Sequence, residues 1–295
     1  MGSGSFTSKA YAAYNSSLSA VDGRIYNEMT GRVEGQTYIA RSLDKSLDPT
    51  KFNVRECVNS DEHPNTIPVI LALDVTGSMG SACSETAATL GLIMTELYKK
   101  FKDIEFCIMG IGDLAYDYAP IQMSQFESDI RIAEALDKIY MEHGGGGNSY
   151  ESYTSAWYMG LHRTRLDCFD KQGRKGIIIT MGDEPLNPYL PVRELNEFAN
   201  VKEQCNVDTE SLFMAVTKKF DVYHIAVDDP HDCYFRYERE IKDSFGKILG
   251  DRLKISSING LSNAILDCIT ESIESRGEEY SCPVNNVNEN GEISW

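Results

Sequence analysis

The chain has 295 residues, 42% of them hydrophobic, enough apolar side chain to bury a sizeable core. Its 28 basic and 45 acidic residues give a formal charge of −17, which disfavours nucleic acid and anionic membrane surfaces and leaves divalent cations and basic protein patches as better-matched partners. Eight cysteines, at 57, 83, 107, 168, 205, 233, 268 and 282, never fall within ten residues of one another, which excludes zinc spacings and a Cys-x-x-Cys pair and reads as free thiols in a reducing compartment.

Residues 1–20 are rich in Ser, Gly, Ala and Tyr and predict a segment that is flexible or draped over a partner. They lack the basic start and apolar stretch of a signal peptide, and no apolar run reaches the roughly 18 residues that span a bilayer, so a cytoplasmic location is expected. Residues 21–62 contain "DGRIYNEMTGRVEGQTYIARSL", with turn glycines between β-prone pieces such as Gln36 to Ala40, and predict a small hairpin or ordered arm. The organisation read from the chain is an N-terminal arm over 1–62, a main domain over 63–276 and an acidic, Asn-rich tail over 277–295.

From Ile67 the pattern changes. "IPVILALD" is a continuous apolar run of strand length, as expected for a strand covered on both faces. "SETAATLGLIMTELYKKF" places Leu90, Ile93, Met94 and Leu97 at helical spacing, with a start near Ser84 and Lys99 and Lys100 favouring its C-terminus. "IEFCIMGIGD" predicts a second buried strand and "APIQMS" a short edge strand. "SDIRIAEALDKIY" is an amphipathic helix, followed by "HGGGGNSYESYTSAWYMGLHRTR", a glycine loop entering another helix. "GIIITMGDEP" is a third buried strand, "DTESLFMAVTKKF" a helix and "DVYHIAV" a fourth strand. "YFRYEREIKDSFGKILG", "RLKISSI" and "LSNAILDCITESIES" supply a helix, a last strand and a last helix. Apolar strands alternating with helices imply an α/β fold: a doubly wound, mostly parallel sheet with helices on both faces. Ligands of such sheets sit beyond the carboxyl ends of the strands, where strand order reverses.

Three segments at or near that edge carry polar chemistry. Asp74, Thr76 and Ser78 turn off the first strand, with Gly77 allowing a tight path. One carboxylate and two hydroxyls are hard oxygen ligands of the kind Mg²⁺ takes while keeping several waters, and Mn²⁺ accepts the same set. The plainer reading of these five residues is a helix cap. Asp183 arrives at the same edge from another strand, and Ser149 from a loop whose glycines allow close backbone approach.

Together these segments resemble the metal-ion-dependent adhesion site of von Willebrand factor type A (VWA) domains: Asp-x-Ser-x-Ser, a later Thr and a later Asp. The match here is Asp74-Val75-Thr76-Gly77-Ser78, then Ser149, then Asp183, over roughly residues 66–275. "DVTGSM" and "GDEP" look most like intracellular bacterial members. Thr76 keeps the hydroxyl of the first serine. Ser149 stands for the usual Thr, and Asn148 stands where Asp is common, removing a nearby negative charge. The resemblance implies a non-enzymatic protein-binding module in which Mg²⁺ binds a partner's Glu or Asp, within a cytoplasmic assembly. By resemblance alone, ring-shaped ATPases or kinase and phosphatase partners are candidate settings.

Two other readings compete. A metal-dependent phosphohydrolase of the haloacid-dehalogenase kind would use Asp74 but needs a second Asp two residues on, where Thr76 stands. A structural, self-assembling subunit would use the N-terminal arm to bridge copies. "HGGGGNSY" lacks the Lys-Ser/Thr of a phosphate loop, and no Gly-x-Ser-x-Gly elbow is present. Asp113 reads as an acid behind the site or a loop cap, Glu184 as an acid orienting a site water and Glu151 as an acid in a helix's first turn. His143 abuts the glycine loop, His224 reads as a core histidine and His231-Asp232 as a loop. Tyr150, Tyr153, Trp157 and Tyr158 read first as a helix packing face and second as a partner surface.

Overall fold

A computed structural model describes residues 4–35, 40–142, 150–229 and 233–277. The β-prone residues 36–39, His143 with the rest of the glycine loop to Ser149, His231-Asp232 and the tail from 278 lie outside the described residues.

Six strands form the central sheet: β1 (Ile67–Asp74), β2 (Ile104–Ile111), β3 (Ile121–Met123), β4 (Gly176–Gly182), β5 (Phe220–Val227) and β6 (Leu253–Ser256). Their order is β6-β5-β4-β1-β2-β3. All neighbours are parallel except β3, which runs antiparallel to β2 with Met123 opposite Met109. The apolar runs become strands buried over every residue of β1, β2, β4 and β5.

Strand side chains alternate between two core clusters, as a period of two requires. Val69, Leu71 and Leu73 join Leu90, Ile93 and Leu97 of α2 (Gly80–Lys100) and Ile265 and Ile269 of α7 (Leu261–Glu274). Ile70 and Ala72 join Trp157 of α4 (Thr154–His162), Leu212 of α5 (Thr209–Val216) and Phe245 of α6 (Cys233–Leu249). Helix α3 (Arg131–Asp137) adds Ile132 and Leu136 to the first cluster. α2 begins earlier than the expected Ser84: a 3₁₀ turn over Gly77–Met79 runs straight into it, because Met79, Ala82 and Cys83 are already buried against the sheet.

The composition of residues 1–20 predicts a segment that is flexible or draped over a partner; the structure forms helix α1 (Ser8–Asp22) there and holds it against the chain's own domain. Tyr11 is the anchor. Its ring lies in the first cluster beside Gly91, where a Cβ would come within 2.5 Å of it, and its hydroxyl donates to the Ala87 carbonyl at 3.2 Å. Arg24 pairs with Asp22 and with Asp137 of α3, and the Tyr14 hydroxyl donates to that same Asp137 at 2.6 Å. A hairpin of Ile25–Asn27 with Arg32–Glu34 follows, tied to α2 by an Arg32–Glu85 ion pair.

Candidate metal centre

Strand order reverses at β1. The chain moves from β1 to β2 on one side, then crosses to β4 on the other, so the crevice between the ends of β1 and β4 is the switch point where ligands of open α/β sheets bind. Asp74 closes β1 and Asp183 follows β4, so both acids flank that crevice, and both are fully buried. Asp113 follows β2 on the next strand, with Gly112 between. Three adjacent parallel strands thus bring acids to one edge.

The local geometry pairs each inner acid with a hydroxyl. Asp74 Oδ1 accepts from the Thr76 hydroxyl at 2.6 Å and from the Thr76 N–H at 2.9 Å. Ser78 Oγ donates to Asp183 Oδ1 at 3.1 Å, across the crevice. Asp183 Oδ2 accepts from the Cys233 N–H at the start of α6, also at 3.1 Å. Asp74, Thr76, Ser78 and Asp183 are therefore brought together at one crevice, and all present oxygen. Ser149 and Asn148 lie outside the described residues. Glu184 is half-buried beside Asp183, and Asp113 is buried with Oδ1 capping the Ala115 N–H at 2.8 Å.

Three residues carry more of this site than their sequence context announces. Tyr153 is fully buried, and its hydroxyl donates to Asp74 Oδ2 at 2.8 Å while accepting from the Glu184 N–H at 3.3 Å. It therefore ties the strand end that bears Asp74 to the one that bears Asp183. Gly182 makes this possible, since a Cβ there would fall 2.0 Å from the Tyr153 hydroxyl. Glu151 is 4% exposed, and its Oε2 is buried with no hydrogen-bond partner. Asp117 reaches back over Gly112 to accept from the Asp113 N–H at 2.7 Å. Tyr153 sits within a stretch that reads as a packing face, and the nearest sequence signal for Glu151 is its closeness to the glycine loop.

Electrostatics follow from crowding acids in a dry edge. Burial first, and then the charge of Asp183, push the Asp74 carboxyl up to about 8. Burial, then Asp74 and Glu184, push Glu151 up to about 11. Glu184 rises to about 7 through burial and Asp183, and Asp117 to about 6 chiefly through burial. Among the described residues no Lys or Arg forms an ion pair with Asp117, Glu142, Glu151 or Glu184. Such a cluster holds protons or takes up a cation. Among the described residues, no three His, Cys, Asp or Glu side chains form a metal-holding group. An ion here would draw on Asp74 and Asp183 together with the hydroxyls of Thr76 and Ser78, a hard-oxygen set of the type that suits Mg²⁺ or Mn²⁺. His224 is no part of it: its Nδ1 lies 2.8 Å from Thr180 Oγ1, its ring stacks on Phe245 at 3.7 Å, and burial pushes it down to about 3, so it is neutral.

No family model and no curated protein sequence matches the chain. Among solved structures, the pilus adhesin SpaC from Lactobacillus rhamnosus GG, in its open conformation, is similar with a TM-score of 0.49 and 12% identity, over 76% of this chain and 31% of that one. A second form of SpaC gives a TM-score of 0.44 at 13% identity, over 76% of this chain and 32% of the other. The vWF domain of the type V pili tip protein Mfa5 from Porphyromonas gingivalis gives 0.46 at 10% identity, over 76% of this chain and 99% of that one. This chain thus spans about a third of the SpaC chains it is similar to, and the likeness is one of chain path, carrying no residue role across.

Proposed function

We propose that this chain is a VWA-like binding module that holds Mg²⁺ at the β1/β4 crevice and uses the ion to capture a carboxylate of a partner protein. The observation that carries this reading is the pair of fully buried acids, Asp74 and Asp183, facing each other across the switch point with a hydroxyl bonded to each. The two core clusters on alternate strand residues support the further reading that helices cover both faces of the sheet. When bound, the ion supplies positive charge and an exchangeable coordination position.

The chain's own residues do the rest. Asp74 and Asp183 would supply the negative charge, directly or through water, and Thr76 and Ser78 would orient toward the ion with Ser149 from the glycine loop as the third hydroxyl. Tyr153 fixes the Asp74 carboxylate through Oδ2, and the Cys233 N–H fixes Asp183 through Oδ2, so both are pre-set before an ion arrives. Mn²⁺ fits the same set. Two carboxylates and neutral hydroxyls would leave the site able to admit an incoming Glu or Asp as a further oxygen ligand. We read the module as non-enzymatic and as part of a cytoplasmic multi-protein assembly. A phosphohydrolase of the haloacid-dehalogenase kind needs a proton-shuttling Asp two residues on, and Thr76 occupies that place.

Calorimetric titration of Mg²⁺ into the full chain and into Asp183→Asn tests the centre. Saturable one-to-one binding that Asp183→Asn abolishes is expected. Equal binding by both proteins, or none by either, overturns the reading. Affinity capture with wild type and Asp74→Asn, each in Mg²⁺ and in EDTA, tests the partner step: a partner retained only by wild type in Mg²⁺ is expected, and one retained equally in EDTA refutes capture through the ion.

A further inference from the structure

Resting on that reading, we infer that the face around the crevice docks a segment whose metal-binding carboxylate is flanked by basic residues. An incoming carboxylate on its own meets the wrong field. Asp117, Glu151 and Glu184 lie beside the crevice without a Lys or Arg paired to any of them, and Glu151 Oε2 is buried with no hydrogen-bond partner. Mg²⁺ would balance the charges of Asp74 and Asp183 and leave Asp117 and Glu184 without a counter-charge. A partner that offers Glu or Asp to the ion must therefore bring positive charge alongside it, or pay like-charge repulsion at the rim.

The rim matches that chemistry. Tyr116 and Tyr118 stand 60% and 63% exposed on the loop that carries Asp117, and Tyr189 is 41% exposed past β4. These positions share one edge. Leu186, three residues before Tyr189, bridges to Glu151, and Ser152 Oγ accepts from the Leu114 N–H at 3.0 Å. The Tyr118 and Tyr140 rings meet edge-on at 5.8 Å. Exposed tyrosines around an acidic floor offer ring faces to Lys and Arg side chains and anchor interfaces at low entropic cost. The whole chain's charge of −17 steers the same class of partner from a distance.

Three synthetic peptides test this, each with one central Glu flanked by Lys, by Gln or by Glu, titrated by fluorescence polarisation into the full chain with Mg²⁺. The Lys-flanked peptide is expected to bind roughly tenfold tighter than the Gln-flanked one at about 50 mM salt, with the gap closing near about 300 mM. The double variant Tyr116→Ser/Tyr189→Ser, both on exposed side chains, should weaken the Lys-flanked peptide about fivefold. Equal binding of Lys- and Gln-flanked peptides, preference for Glu flanks, or no peptide binding to a chain that binds Mg²⁺ overturns the inference. Failure of the metal centre reads differently: Mg²⁺ is then silent in calorimetry and the Lys-over-Gln preference persists in EDTA.

Discussion

Changing Asp74 to Asn should shift stability in opposite directions with and without Mg²⁺. Asn keeps an Oδ1 acceptor for Thr76 and places an amide near the Tyr153 hydroxyl, so packing is nearly unchanged. What it removes is a buried ionisable group that, without a cation, must take up a proton to fit the dry edge. Burial and Asp183 raise the Asp74 carboxyl from 3.8 to about 8, so its ionised form opposes folding. The sign is that of any raised carboxyl: stability is fully present below pH about 4 and is lost as pH rises toward about 8. At neutral pH without a cation, that loss is on the order of a few kcal/mol at most, from about 1.4 kcal/mol per pH unit. At about 2–4 °C per kcal/mol for a chain of this size, Asp74→Asn in EDTA should melt several degrees above wild type. Mg²⁺ reverses the order. Wild type gains about 2.7 kcal/mol at a hundredfold excess over Kd, roughly 5–10 °C, and the variant gains almost nothing. Scanning fluorimetry at neutral pH, in EDTA and in Mg²⁺, reads both signs. An Asp74→Asn protein that melts lower in EDTA and still shifts with Mg²⁺ would refute the reasoning.

Tyr153→Phe keeps the ring's packing but frees Asp74 Oδ2, so Mg²⁺ affinity should fall about tenfold in calorimetry; unchanged affinity would remove Tyr153 from the site. At the opposite edge of the sheet, burial pushes the Asp221 carboxyl up, but Arg276, Ser272 and Arg252 together hold it below the usual carboxylate range. Its contribution is present above pH about 4 and is lost as pH falls through the lowered value, so acid unfolding followed by fluorescence should show a loss that Asp221→Asn lacks. That variant should also be destabilised by about 3 kcal/mol near neutral pH in a urea titration, because it leaves Arg276 without its buried partner. Gly91→Ala puts a Cβ into the Tyr11 ring; a loss of about 1–3 kcal/mol and faster proteolysis within α1 are expected.

The parts of the site that lie within one strand end were legible in the sequence. "LALDVTGSM" and "GIIITMGD" announce themselves because a run of apolar residues buried on both faces has few reasons to end in an acid, and the structure brings Asp74, Ser78 and Asp183 to one crevice. The alternation of strands and helices gave the class of fold, since period and length are local signals. Partners set only by folding were not legible. Tyr153 looks like its neighbours Trp157 and Tyr158 until its hydroxyl is seen between Asp74 and Glu184. Glu151 looks like a helix-terminus acid until its buried surroundings are seen. Helix α1 was not legible because composition records how polar a segment is, whereas its docking depends on one ring, Tyr11, meeting one glycine eighty positions away.

The central proposal, an ion at the β1/β4 crevice, is tested most directly by anomalous scattering from crystals of the full chain grown with Mn²⁺. One strong peak between Ser78 Oγ and the carboxylates of Asp74 and Asp183, absent in crystals of Asp183→Asn, is the result expected. A crevice without a peak at saturating Mn²⁺, or a peak held by other residues, would contradict it.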